Sequence, residues 1–182
     1  MGSLEIIMGP MFSGKTEALI KKYNSLSESS KIKTFNFYKD TRYGDNLIAS
    51  HSGLSIPCKN IQTISEIIDI INNDKTTEYI YINEAQFFPD LKENVVKLVE
   101  TCNKKVIISG LDCDYKREKF GEIWDLIPYA DTVIKLKGKC NNCNNDSLFT
   151  HRISKEQEQE LIGNNIYIAL CRKCYKTLNA NI

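Results

Sequence analysis

No stretch of this 182-residue chain is apolar for long enough to cross a bilayer, which excludes a helical membrane span. An excess of one charge is also missing. The 24 Lys and Arg stand against 23 Asp and Glu, a formal net charge of +1, with no overall pull toward nucleic acid or an anionic membrane. The N-terminus lacks the basic-then-apolar layout of a secretory signal, because Glu5 interrupts the first apolar segment. Ile6 stands where a myristoylation motif after Met1-Gly2 needs Ser or Thr. An intracellular, reducing, cytoplasmic location is the expectation. Internal repeats, low-complexity tracts and a true interdomain linker are absent as well.

What remains is a globular composition, 42% hydrophobic and 26% charged. The length suits one α/β domain plus a small appendage with its own staple. Apolar strands are expected at Leu4 to Met8, Thr34 to Tyr38, Tyr79 to Ile82, Val106 to Ser109 and Thr132 to Leu136. Helices are expected at Glu17 to Leu26, Ile64 to Ile71 and Leu91 to Cys102, with a short helical segment from Phe120 to Leu126 closed by Pro128. This alternation predicts a P-loop-type parallel sheet covered by helices on both faces. The character changes at Lys137, so the boundary is drawn between residues 1–137 and a small lobe, 138–182.

Gly9-Pro10-Met11-Phe12-Ser13-Gly14-Lys15-Thr16 matches G-x-x-x-x-G-K-S/T between a strand and a helix. In such a loop the glycines let backbone N–H groups turn onto phosphate oxygens, and the helix N-terminus adds its positive end. Lys15 would reach the β- and γ-phosphates of ATP and the Thr16 hydroxyl would hold Mg²⁺. An ordinary glycine turn is the blander reading, and it leaves the flanking elements unexplained.

The apolar run Tyr79 to Ile82 ends in Asn83-Glu84, where a phosphate-loop protein places an acidic group. Asn83 can accept a bond from a metal-bound water but brings no charge; Glu84 is the candidate general base, or else it caps the following turn. Asp40 and Arg42, just past the second strand, are candidates for magnesium and phosphate, although such charges more often decorate a solvated loop. Arg152 is a weaker phosphate candidate.

Four of the seven cysteines form Cys140-x-x-Cys143 and Cys171-x-x-Cys174, with residues 144–170 between the pairs. Two such knuckles on short hairpins suit a closed structural Zn²⁺ site with no open position for catalysis. A long loop pinned at its base is usually functional.

Together the phosphate loop with its Pro10-Met11-Phe12 interior, Lys39-Asp40-Thr41-Arg42-Tyr43, Asn83-Glu84-Ala85-Gln86-Phe87-Phe88 and the paired cysteines resemble the cellular and poxvirus type of thymidine kinase. The resemblance covers essentially the whole chain. It implies ATP-dependent phosphorylation of thymidine, and of deoxyuridine, with Glu84 as the base and Asn83 and Gln86 beside the ATP. It also implies a lasso loop between the zinc knuckles that closes over thymine. Carried onto this chain, the lasso contacts are Gln159, Glu160, Leu161, Ile162, Gly163 and Tyr167. Met11, Phe87, Leu111, Tyr115, Phe120 and Thr150 match positions lining the base pocket. Asn83 departs from the family's Asp, and Asn83→Asp is expected to leave activity intact and tighten the Mg²⁺ requirement. A homotetramer and feedback inhibition by dTTP are further implications. The rivals are a phosphate-loop ATPase with a zinc ribbon acting on nucleic acid, and a zinc-stabilised interaction module.

Overall fold

The computed structural model describes residues 1–26, 31–40, 44, 46–161, 163 and 165–179. Its organising feature is the alternation within each central strand. In β1 (Ser3–Gly9), Leu4, Ile6 and Met8 face one side of the sheet and Ile7 the other, and both sides are buried. α1 (Lys15–Asn24) covers the Ile7 side through Leu19 and Ile20. β2 (Ile32–Phe37) follows. Next come β3 (Leu47–Ala49) and β4 (Ser55–Pro57), an antiparallel hairpin, and then β5 (Lys59–Ile61).

α2 (Ser65–Asn73) sets Ile67, Ile68 and Ile71 against the Leu4 side. β6 (Tyr79–Ile82) repeats the split, with Ile80 and Ile82 on that side and Tyr81 on the α1 side. α3 (Leu91–Val96) passes into one π-helical stretch at Lys97–Thr101, so the helix predicted to Cys102 ends with a widened turn. β7 (Lys105–Leu111) and β8 (Thr132–Lys135) complete a six-stranded sheet of order β5-β2-β6-β7-β1-β8, in which every pair is parallel. Burial on both faces is why the central strands β1, β6 and β7 read as continuous apolar runs, whereas the edge strand β8 is largely exposed.

Between β7 and β8 the predicted helical segment is a 3₁₀ helix at Ile123–Tyr129 with Pro128 inside it, not after it. Beyond Lys137 lie only small sheets. β9 (Gly138–Lys139) pairs with β10 (Asp146–Ser147), and β11 (Phe149–Arg152) with β12 (Tyr167–Leu170); α4 (Arg172–Leu178) ends the described chain. The buried apolar cluster of this lobe, among the described residues, is Cys140, Leu170, Cys171 and Tyr175. So small a core needs another source of stability.

Candidate active site

The phosphate loop begins where β1 leaves the sheet. A Cβ on Gly9 would lie 2.6 Å from the Leu136 carbonyl oxygen, so only glycine lets β1 pass that close to the end of β8. Gly14 has φ +81°, a left-handed conformation it adopts without a Cβ penalty, and it places α1 with its N-terminus toward the loop. Phe12 adopts φ 61° inside the loop and packs on His51 at a ring separation of 5.6 Å. The Lys15 ammonium donates to the Pro10 carbonyl at 2.7 Å, folded over its own loop.

A cavity of about 500 Å³ opens from this loop. One end is lined by Met11, Phe12, Ser13, Gly14, Lys15 and Thr16, together with Asp40, Asn83, Glu84 and Gln86. The other is lined by Phe87, Leu111, Tyr115, Phe120, Thr150, Gln159, Leu161, Gly163 and Tyr167. Phe87 stacks on Phe37 at 5.2 Å with 24° between the rings and meets Phe120 edge-on at 5.4 Å, which makes an apolar aromatic wall. Thr150 joins the two ends: its hydroxyl accepts the Met11 amide at 2.9 Å.

Glu84 sits at the C-terminal end of β6 with φ 53° and ψ 42°, one of only a few non-glycine residues in this region of backbone space. Such a conformation is unfavourable on its own and collects at functional sites. Gln86, 2% exposed, donates from Nε2 to the Glu84 carboxylate at 2.7 Å and accepts the Leu111 amide at 2.9 Å.

Asn83 is 4% exposed, and both halves of its amide are engaged. It donates to Asn36 Oδ1 at 3.0 Å, and Oδ1 accepts the Ser109 hydroxyl at 2.8 Å. Asn36 in turn donates to the Asp40 carbonyl at 3.3 Å and to its carboxylate at 3.5 Å. The residue at the acidic position thus belongs to a buried network of two amides and a hydroxyl that joins β2 to β7 and reaches the Asp40 carboxylate. An Asp there would surrender one of those bonds, a cost that the linear motif does not reveal.

The lasso closes on the cavity through Arg152, which is 5% exposed. Its guanidinium donates to the carbonyls of Glu156, Glu158 and Gln159 and to the Tyr167 hydroxyl, and lies 3.9 Å from the centre of the Tyr115 ring. The expectation that Arg152 contacts phosphate is not met in this arrangement: both terminal nitrogens hold the loop, and among the described residues Nε is buried without a hydrogen-bond partner. Gln159 donates to Asp114 at 2.8 Å, and the Tyr167 hydroxyl donates to the Leu161 carbonyl at 2.8 Å. Glu160, assigned to substrate, does not line the cavity; it pairs outward with Lys39 at 3.5 Å. Gly9 and Pro10 shape the loop from behind the cavity lining. Arg42 and Ile162 lie outside the described residues.

The β3–β4 hairpin supplies residues that the sequence reading missed, among them Ile48, Ser50 and His51 on the cavity wall. Its strands are three residues each, too short for a periodic signal; the Ser52-Gly53 turn, with Gly53 at φ +86°, was the available clue. Cys113 also lines the cavity, and burial pushes its thiol up to about 12.

The Sγ atoms of Cys140, Cys143, Cys171 and Cys174 lie within 4.8 Å of one another, with Cys143 3.5 Å from Cys171 and 3.6 Å from Cys174. Four sulfurs each ~2.3 Å from one zinc ion stand about 3.8 Å apart, so the cluster fits a closed structural zinc site. The first pair lies in the β9–β10 hairpin as expected. The second does not: Cys171 caps α4 and accepts the Cys174 amide. Burial pushes the Cys140 thiol up, but the backbone amides of Cys171, Asn142 and Cys143 outweigh it and bring the thiol down to about 6. A thiolate favoured in this way is what a metal ligand requires.

A parallel sheet running into a phosphate loop, with a carboxylate and an apolar pocket in the same cavity, defines a P-loop phosphotransferase with a lid pinned at a four-cysteine cluster. The thymidine kinase family model matches residues 2–175. A thymidine kinase of rice is 37% identical over 179 residues, covering 96% of this chain and 66% of the relative. A thymidine kinase of Mycoplasma mobile is 40% identical over 177 residues, 96% of this chain and 87% of the relative. One from Yaba monkey tumor virus is 38% identical over 182 residues, 98% and 97%. The chain belongs to the thymidine kinase family. ATP-dependent phosphorylation of thymidine is the activity this membership carries, and the nucleic-acid ATPase reading is not favoured.

Proposed function

We propose that Glu84 takes the proton from the 5′-hydroxyl of thymidine as that oxygen attacks the γ-phosphorus of ATP in line. The bond from the γ-phosphorus to the bridging oxygen breaks, and dTMP and ADP leave. The observation that carries this reading is one cavity lined at once by Lys15 and Thr16 of the phosphate loop, by Glu84, and by Phe87 and Phe120.

Loop amides from Met11 to Lys15 and the Lys15 ammonium would hold the triphosphate, and Thr16 and Asp40 would hold Mg²⁺. When bound, Mg²⁺ neutralises charge on the phosphate oxygens. The apolar wall would take the thymine face, and the lasso around Leu161, Gly163 and Tyr167 would cover its edge and exclude water. Deoxyuridine, lacking only the methyl group, fits the same wall. Feedback inhibition by dTTP, a homotetramer, a cytoplasmic location and the division into residues 1–137 and 138–182 belong to the same proposal. Among the described residues no helix is long and apolar enough to cross a membrane.

Phosphate transfer from ATP to a panel of nucleosides tests it. Thymidine should be preferred, and Glu84→Gln should lower turnover by about 10²–10⁴-fold with ATP binding retained. Near-normal turnover of Glu84→Gln removes the residue from the base role. Equal rates on deoxycytidine or purine nucleosides overturn the base pocket.

A further inference from the structure

We infer that Gln86 is the positioning residue for the base Glu84, fixing one carboxylate oxygen so that the other faces the substrate hydroxyl. This rests on the reading of Glu84 as the base. By sequence Gln86 was placed among the ATP contacts; its surroundings give it a different task.

The orientation of the Gln86 amide is dictated from behind. The Leu111 backbone N–H, a donor only, lies 2.9 Å from Oε1. That contact fixes the oxygen toward β7 and turns Nε2 toward Glu84, where it meets Oε2 at 2.7 Å. A flipped amide would set N–H against N–H on one side and oxygen against carboxylate on the other.

Two glycines make room for the arrangement. A Cβ at Gly110 would lie 2.6 Å from Gln86 Oε1, and one at Gly121 would lie 2.2 Å from the Gln86 carbonyl oxygen. Ile123 presses on Gly110 from the other direction, 2.4 Å from the same imagined Cβ. Gly110 of β7 thus leaves room for the Gln86 side chain, and Gly121, ahead of the 3₁₀ helix, for its main chain.

Glu84 gains what its backbone does not supply. It lies in a left-handed conformation ahead of a single 3₁₀ turn, Ala85–Phe87, closed by the Phe87 amide on the Glu84 carbonyl at 3.1 Å. Without a fixed partner its side chain would sample several rotamers, and only some would present an oxygen to the cavity. A donor held rigidly by a β-strand amide selects one of them. Such supporting bonds keep a reacting group within the narrow geometry that turnover requires.

Two substitutions separate this role from mere packing. Gln86→Glu keeps an acceptor for the Leu111 amide but replaces the donor to Glu84 with a like charge. Gln86→Leu removes both bonds while filling similar volume. Positioning predicts that kcat falls about 10-fold in Gln86→Leu and on the order of 100-fold in Gln86→Glu. KM for ATP and thymidine should stay within about twofold in both, because neither substitution touches uniform binding. If Gln86 only braces Leu111, the order reverses, and Gln86→Glu runs near the native rate while Gln86→Leu is impaired; that result overturns the inference. If both variants raise the two KM values with kcat preserved, Gln86 is a ligand contact and the inference also fails.

Gln86→Leu is then repeated in the Glu84→Gln background. No further loss is expected there, because the group it would orient is gone. An inactive Glu84→Gln with unimpaired Gln86 variants rejects the positioning role alone. An active Glu84→Gln rejects the base itself.

Discussion

The two ends of the cavity are built in opposite ways. The phosphate end comes from eight consecutive residues, Gly9 to Thr16, on a sheet whose central strands are buried on both faces. The base end is assembled from separated segments that include Phe87, Leu111, Phe120, Thr150 and Tyr167, and its lid rests on a lobe whose apolar cluster has four buried residues. Backbone amides can cradle a phosphate wherever a strand runs into a helix, because every residue carries the donor. A flat base needs side-chain surface on several sides at once, which one short segment cannot provide. The first end is therefore stable and local. The second depends on staples: the cysteine cluster, Arg152 and the bond from Thr150 to Met11.

Loss of the zinc staple should separate the two ends most sharply. Chelation, or Cys171→Ser, should cut thymidine phosphorylation on the order of 100-fold, while ATP binding to the sheet persists within a few-fold. Equal loss of ATP affinity, read by titration calorimetry, would show that the two ends fold as one unit. Arg152→Gln comes next. The lasso loses a guanidinium with four acceptors, so KM for thymidine should rise on the order of 10-fold with KM for ATP unchanged. A matching rise in KM for ATP would return Arg152 to the phosphates.

Asn83→Asp probes the phosphate end from beneath. The variant loses the donor to Asn36 and buries a charge, so stability should fall by about 1–3 kcal/mol in denaturant unfolding even where magnesium dependence sharpens. Unchanged stability would mean that Asn36 turns its own amide to compensate. Lys39→Ala should matter little: its partner Glu160 is exposed, and such a pair contributes less than about 1 kcal/mol, a few-fold at most in thymidine KM. Smallest of all is the reactivity of Cys113. With burial pushing its thiol up to about 12, iodoacetamide at neutral pH should leave it unmodified by mass spectrometry, although it lines the cavity. Rapid alkylation blocked by thymidine would contradict that burial.

The same contrast governs how much could be read beforehand. Strands β1, β6 and β7 were legible because burial on both faces leaves unbroken apolar runs, and α2 because Ile64, Ile67, Ile68 and Ile71 keep a helical period. The β3–β4 hairpin was not legible, since three-residue strands carry no period. Gln159, Leu161 and Tyr167 are assigned to the pocket by family resemblance; nothing local in the sequence marks them as pocket residues.

By itself the sequence determined the phosphate loop, the carboxylate that follows β6 and the four metal-binding cysteines. Each is a short-range pattern whose chemistry depends on spacing along the chain. Only the tertiary structure decided that Arg152 holds the lasso, that Asn83 belongs to a buried network with Asn36 and Ser109, and that Gln86 faces Glu84. The Asn83 and Gln86 roles rest on partners 47 residues away in Asn36–Asn83, 26 in Asn83–Ser109 and 25 in Gln86–Leu111. A hydrogen bond is set by distance and direction in space, and parallel strands bring together residues that the sequence holds far apart.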